Sequence, residues 1–217
     1  MDQLDNTSKR WDSIWNNKIK SLFFYLPVFR PVDIFFRKNI YFKAINKILD
    51  GFSLKDKDIV ELGSGTGSNS FYLANSQGAR TVTLVDFSEK GLDKAREKFC
   101  NCPVTKIKED ILNFSPKSAY DFVHSTGLVE HFFGRDRFLA VKKHAECAKP
   151  GALIMVWVPV VSPAFKIIGF FNRLQGIKEI PFKKEELMSL FKESNLEIIK
   201  EGRIALGALY GILAKRK

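Results

Sequence analysis

The sequence predicts a doubly wound α/β domain, and three observations predict it. An apolar run, Ile59-Val60-Glu61-Leu62, enters the glycine-rich stretch Gly63-Ser64-Gly65-Thr66-Gly67-Ser68, as a buried strand turning into a helix would. A second apolar run, Thr81 to Asp86, ends in a carboxylate roughly 20 residues beyond those glycines, where folds of this class place a group for ribose hydroxyls. From there to the C-terminus apolar runs and amphipathic stretches alternate, the order of a sheet covered by helices on both faces.

A chain of 217 residues with 45% hydrophobic content suits one packed domain and is short for two. The three cysteines, Cys100, Cys102 and Cys147, form neither a disulfide framework nor a zinc spacing, so reduced thiols and a cytoplasmic location are expected. The formal charge of +11 is spread along the chain, which argues against a dedicated nucleic-acid tail; solubility, an acidic substrate or an anionic membrane surface would all account for it. The start carries Asp2 and Asp5 and does not read as a secretory signal. The apolar run Leu22 to Phe36 is interrupted by Pro27, Arg30, Pro31 and Asp33, too often for a membrane-spanning helix.

In chain order, Trp11, Ile14, Trp15, Ile19 and Leu22 recur at helical spacing and predict an amphipathic helix over 7–22, with Thr7 or Ser8 as its cap. A proline-punctuated aromatic connector follows, and then a helix from about Asn39 to Leu49. After the first strand, Gly63, Gly65 and Gly67 let the backbone turn sharply, and Ser68 and Asn69 are natural caps for a helix running to about Gln77, where Gly78 stops it. The order then repeats: strand Thr81–Asp86, helix from Ser88 to about Phe99, strand Val104–Lys108 with Glu109-Asp110-Ile111 after it, strand Ala119–Ser125, helix from about Arg135 to Ala148. The turn Lys149-Pro150-Gly151 leads into strand Ala152–Val158, closed by Pro159. Val160 to Phe182 is an apolar insertion. Glu185–Ser194 reads as a helix, and Leu196–Ile204 and Ala208–Ala214 as strands. His124, inside a strand, is expected in the core and His144 on a surface helix.

The loop spacing is G-x-G-x-G. A dinucleotide loop would put its third glycine where Ser68 stands, and a phosphate-binding P-loop needs a lysine that is absent, so a nicotinamide enzyme is the weakest reading. With Glu61 the pattern becomes E-x-G-x-G-x-G, which resembles the first motif of class I S-adenosylmethionine-dependent methyltransferases. The resemblance covers about residue 51 to the C-terminus. It implies a seven-stranded, mostly parallel sheet whose last strand is antiparallel, with S-adenosyl-L-methionine as cofactor and S-adenosyl-L-homocysteine as product. By the same resemblance Glu61, Gly63, Ser64, Gly65 and Gly67 seat the cofactor, Asp86 with Phe87 and Ser88 takes its ribose, and Asp110 with Ile111 its adenine. Ser125, Thr126 and Gly127 approach its methionine end, over which Trp11 and Trp15 of the N-terminal helix would fold, and His131 is the candidate base. The chain then divides into a helical cap (1–50), a cofactor-binding core (51–159), an apolar lid (160–183) and a C-terminal helix with a strand pair (184–217).

Departures from the family's branches narrow the acceptor. The Asn/Asp-Pro-Pro-Tyr of amino-group DNA methyltransferases is missing, as is the Pro-Cys of cytosine-C5 enzymes. Leu128-Val129-Glu130-His131 resembles the Leu-Glu-His segment of ubiquinone-type O-methyltransferases, some of which bind a divalent metal through two glutamates and a histidine. Gly127 stands at the earlier glutamate, so no metal is expected. The two greasy segments, each interspersed with Lys and Arg, point to a small lipophilic acceptor and to peripheral contact with an anionic membrane. An RNA methyltransferase and a non-catalytic cofactor-binding module are the alternatives, and the oligomeric state is left open.

Overall fold

A computed structural model describes residues 7–16, 40–174 and 179–217. One sheet of seven strands forms its centre, in the order β3-β2-β1-β4-β5-β7-β6. The strands are β1 (Asp58–Leu62), β2 (Thr81–Asp86), β3 (Val104–Lys108), β4 (Tyr120–Thr126), β5 (Ala148–Pro159), β6 (Leu196–Ile204) and β7 (Leu209–Arg216). β1 to β5 pair in parallel, while β7 runs antiparallel to both β5 and β6. β2 lies on one side of β1 and β4 on the other, so the strand order reverses there and a crevice opens beyond the carboxyl ends.

The helices are α1 (Ser8–Asn16), α2 (Phe42–Leu49), α3 (Ser68–Gln77), α4 (Glu89–Asp93), α5 (Arg135–Cys147), α6 (Pro163–Leu174) and α7 (Lys184–Glu193). Both faces of the sheet are covered, and the period of two along each strand decides which side chain meets which helix. Val60, Leu62, Val123 and Val156 pack with Ala140 and Val141 of α5 and Leu187 and Phe191 of α7. Their neighbours Ile59, Phe122 and Trp157 pack on the opposite face with Ile45, Ile48 and Leu49 of α2 and Phe71 and Leu73 of α3. At the antiparallel end Trp157, Gly211 and Gly202 stand side by side on β5, β7 and β6, and the two glycines leave room for the indole to lie across their backbones.

Several elements differ from expectation. The helix expected from Ser88 to Phe99 stops at Asp93 and gives way to a 3-10 turn, Glu97–Phe99. Asn75 of α3 draws this stretch out of a helix, donating to the Phe99 carbonyl at 2.7 Å and accepting from the Asn101 amide at 2.8 Å. Lys149-Pro150-Gly151 lies inside β5 as a bulge: Tyr120 pairs with Ala148 but Phe122 with Leu153, and Gly151 takes φ +75°. His144 is fully buried, because α5 turns that residue toward the sheet. The cap of α3 is Gly67, not Ser68 or Asn69.

Of the helix expected over 7–22 only Ser8–Asn16 is described; its remainder and the connector Leu22–Phe36 lie outside the described residues, as does 175–178 of the apolar insertion. That insertion is closed at its base by a bridge between Val160 and Phe182. Among the described residues no helix is long and apolar enough to cross a membrane.

Candidate functional site

The site is built where β1, β2 and β4 end. Gly63, Gly65 and Gly67 all take positive φ, +64°, +50° and +68°, a left-handed backbone that lets the loop after β1 turn tightly at the strand end. A Cβ on Gly63 would come within 2.5 Å of Leu128, which closes on the loop from the β4 side. Asp86, at the end of β2, accepts from the Gly65 amide at 2.7 Å through Oδ2 and from the Ser88 amide at 2.8 Å through Oδ1, fixing both turns to one carboxylate. Burial pushes its carboxyl up from the ordinary value, against the pull of those two N–H groups. Ser64 Oγ, in the loop, is enclosed and has no hydrogen-bond partner.

Glu61 faces elsewhere. It lies on the α3 side of β1, where Oε2 accepts from the Ser70 amide at 3.2 Å and the Ser70 hydroxyl at 2.7 Å, and Oε1 from the Asn69 side chain at 3.2 Å. It therefore supplies the first turn of α3 with the acceptor that Gly67 lacks, and holds the glycine loop through the helix behind it. Enclosure pushes its carboxyl up to about 7. The Ser70 hydroxyl also meets His124 Nε2 at 2.9 Å, and burial pulls that imidazole down to about 3.

The other predicted residues divide by face. Asp110 follows β3, beside the end of β2, and its Oδ1 accepts from the Leu112 amide at 2.9 Å; the side chain of Ile111 enters the core. Phe87 is half-buried at the β2 turn. Ser125 is fully buried and points to α5, its Oγ 2.8 Å from His144 Nε2. His144 Nδ1 lies 2.7 Å from the Ala140 carbonyl, an acceptor only, so Nδ1 carries the hydrogen and Nε2 accepts from Ser125; burial pulls this histidine down to about 4. Thr126 faces the other way, 2.6 Å from the Tyr41 hydroxyl, and Gly127 is exposed with φ +70°.

Across this edge lies α1. Asp12 accepts from the Ser88 hydroxyl at 2.6 Å and the Lys90 amide at 3.1 Å, while the Trp11 ring stands edge-on to His131, centroids 4.8 Å apart. The side chain of Trp15 lies outside the described residues. His131 is 9% exposed and shares its place with Glu130 and with Glu179, a residue whose distance in sequence hides it. Asp12, Tyr41 and Glu179 were not legible as site residues, since their partners stand far along the chain.

Three comparisons bear on this arrangement. Residues 59–151 match the family described as a methyltransferase domain. The chloroplastic 2-methyl-6-phytyl-1,4-hydroquinone methyltransferase 2 of Oryza sativa subsp. japonica is 29% identical over 147 residues, which cover 67% of this chain and 40% of that protein. The chain spans about two fifths of the length of the curated relatives it matches. Among solved structures, magnesium protoporphyrin IX methyltransferase from Synechocystis PCC 6803 with bound S-adenosylhomocysteine superposes with a TM-score of 0.69 at 17% identity, covering 96% of this chain and 93% of that one. The N-methyltransferase NodS from Bradyrhizobium japonicum WM9, also in complex with S-adenosylhomocysteine, gives 0.66 at 14% identity, covering 99% of each. The middle of the chain thus matches a methyltransferase domain, and the described residues share the fold of these solved methyltransferases.

Proposed function

We propose that this chain transfers a methyl group from S-adenosylmethionine to a small lipophilic acceptor. The observation that carries the reading is the enclosure of one sheet edge: the glycine loop and Asp86 lie on one side of it, His131 on the other, and α1 spans both through Asp12 and Trp11. The residues fit the cofactor. Ser64 Oγ is a polar atom without a partner in a loop of positive-φ glycines, and Asp86 keeps unused lone pairs on two oxygens for ribose hydroxyls. Asp110 is the candidate for the adenine, and Thr126 and Gly127 for the amino-acid end; Ser125 and Glu61 act behind the surface, on α5 and α3.

The bound cofactor supplies an electrophilic methyl on a good leaving group. The chain's own work is then to hold an acceptor atom in line and keep water away, and such positioning can supply about 7 to 11 kcal/mol of the barrier. Leu128, Trp11 and the lid segment after β5 would form that wall.

A lipophilic acceptor is supported by the relative named for a phytyl hydroquinone and by the fold neighbour named for a protoporphyrin. Large apolar side chains also remain exposed near the same edge: Phe133, Val161, Phe170 and Leu206, with Lys184 and Arg203 lining the cavity below Val161 and Leu206. Peripheral contact with an anionic membrane, from the cytoplasmic side, belongs to this proposal and rests on that patch and the charge of +11.

Calorimetry with S-adenosylmethionine and S-adenosylhomocysteine tests the first half. Wild type should bind both, and Asp86→Ala should bind at least about tenfold more weakly, because it loses charge-assisted hydrogen bonds worth roughly 1.5 to 3 kcal/mol each. Heat with neither ligand overturns the reading. Methyl transfer from labelled cofactor to a prenylated hydroquinone, set against a pool of polar metabolites, tests the second; turnover confined to the polar pool refutes the lipophilic acceptor.

A further inference from the structure

Three ligand-bearing side chains meet at the acceptor side of this cleft. Glu130 and His131 stand in the 3-10 turn Val129–His131 that follows β4, and Glu179 arrives from the segment after α6. One carboxylate oxygen of each glutamate and one ring nitrogen of His131 lie within 4.8 Å of one another, with Glu130 and His131 buried and Glu179 half-buried. The backbone fixes this meeting. The Ile180 amide donates to the Glu130 carbonyl at 3.2 Å, and the buried Arg137 donates to the Ile180 carbonyl at 2.7 Å while pairing with Glu186 at 2.6 Å and lying 3.8 Å over the Phe182 ring.

A second, independent observation points to a cation here. Glu130 is 1% exposed, and its Oε2 is enclosed without a hydrogen-bond partner. An enclosed carboxylate oxygen with nothing to accept is costly, and a second carboxylate beside it adds like-charge repulsion. Arg137 lies close enough for its charge to favour the Glu130 carboxylate, but the bonds from its terminal nitrogens go to Ile180 and Glu186, and Glu130 Oε2 accepts none. Gly127 leaves the near side open: a Cβ there would stand 3.4 Å from Glu130 Oε1.

We infer that Glu130, His131 and Glu179 form a divalent-cation site at the acceptor end of the cleft. This deepens the methyl-transfer reading and reverses the expectation drawn from Gly127, because the third ligand comes from the lid segment and not from the β4 turn. One imidazole and two carboxylates suit Mn²⁺, Fe²⁺ or Zn²⁺ better than the all-oxygen cations. Three protein ligands leave coordination positions for water and for an acceptor hydroxyl, whose pKa the ion lowers. The balance is simple: the hydroxyl proton goes to solvent, the acceptor oxygen forms the new O–C bond, the S–C bond breaks, and the sulfonium leaves as a neutral thioether. His131 then holds the ion and does not itself take the proton. Because Glu179 lies on the lid segment, an ion bound here also ties that segment to the β4 turn.

The test is Mn²⁺ titration of EDTA-stripped protein, followed by electron paramagnetic resonance, with Zn²⁺ as competitor. Wild type should bind one Mn²⁺ per chain. Glu179→Gln, a half-buried and near-isosteric change, should weaken binding by about tenfold or more, while its calorimetric affinity for S-adenosylmethionine stays within about twofold and shows the fold intact. Mn²⁺ should raise the melting temperature of wild type and not of Glu179→Gln. Absence of saturable binding of Mn²⁺ and Zn²⁺ by wild type overturns the inference, as does equal affinity in Glu179→Gln. Mn²⁺ binding without S-adenosylmethionine binding keeps the cation site and removes the methyl-transfer reading, so the two fail separately.

Discussion

Asp12 caps a helix 76 positions further along the chain: its Oδ1 accepts from the Ser88 hydroxyl at 2.6 Å and from the Lys90 amide at 3.1 Å. Ser88 is itself the N-cap of α4 and accepts from the Gly91 amide at 3.1 Å, so one hydroxyl links α1, α4 and the turn that Asp86 organises. The Ser88 hydrogen bond leads the effects that hold the Asp12 carboxyl below its ordinary value. Since Trp11 reaches His131 from the next position, this carboxylate decides whether α1 stays across the cleft.

Asp12→Ala should therefore loosen the cover without damaging the sheet. We expect the affinity for S-adenosylmethionine to fall about fivefold, less than a buried charge-assisted bond would give because Asp12 is partly solvated. Stopped-flow measurement should place the change in a faster dissociation rate. An unchanged dissociation rate would show that α1 does not gate the cofactor.

Gly211→Ala should destabilise the antiparallel end of the sheet. The added Cβ would meet Trp157 Cδ2 and Cε2 at 2.5 Å, and the fully buried Trp157 ring lies across β7 and β6 against both glycines. Overpacking of this kind costs about 1 to 3 kcal/mol, or a fall in melting temperature of about 3 to 10 °C for a domain of this size. Trp157→Phe in the same background should recover part of the loss, because the smaller ring vacates the contact; thermal melts of the single and double variants check both expectations.

The buried titrating groups set a pH profile of stability with opposing parts. His124 and His144 are depressed to about 3 and about 4, so their contribution is present above the unfolded value of 6.5 and is lost as pH falls toward those numbers. Glu61 is raised to about 7, so its contribution is complete below the unfolded value of 4.5 and is lost as pH rises through 7. Between about pH 5 and 6 the two histidines therefore make stability rise with pH, while Glu61 opposes them together with Glu130 and Asp86, whose carboxyls burial also raises. Glu61→Gln removes one of the opposing contributions and should make stability rise more steeply with pH in that window, by up to about 1 kcal/mol per pH unit. The substitution is tolerable because the Asn69 amide, whose Oδ1 has no partner, can rotate to accept from the new side-chain N–H. Urea unfolding at pH 5, 6 and 8 measures it, and identical slopes in the two proteins would show that Glu61 titrates normally.

The sequence by itself determined what depends on neighbours along the chain. Apolar runs bounded by turn residues located the seven described strands, and the positive φ of Gly63, Gly65 and Gly67 is what three glycines at that spacing are for. Asp86 was legible because its position at a strand end beside the loop fixes its place whatever packs around it. Only the tertiary structure decided which way the neighbouring polar side chains face. Ser125 and Thr126 look equivalent in sequence, yet consecutive strand residues point to opposite faces, and α5 claims Ser125 through His144 while α2 leaves Thr126 to Tyr41. Glu61 turns from the cleft because its face of β1 is the one α3 covers, and the start of that helix needs an acceptor. Asp12 and Glu179 were hidden for the same reason: a carboxylate acquires its role from a partner brought close in space, and residue spacing carries no record of a contact that the fold makes.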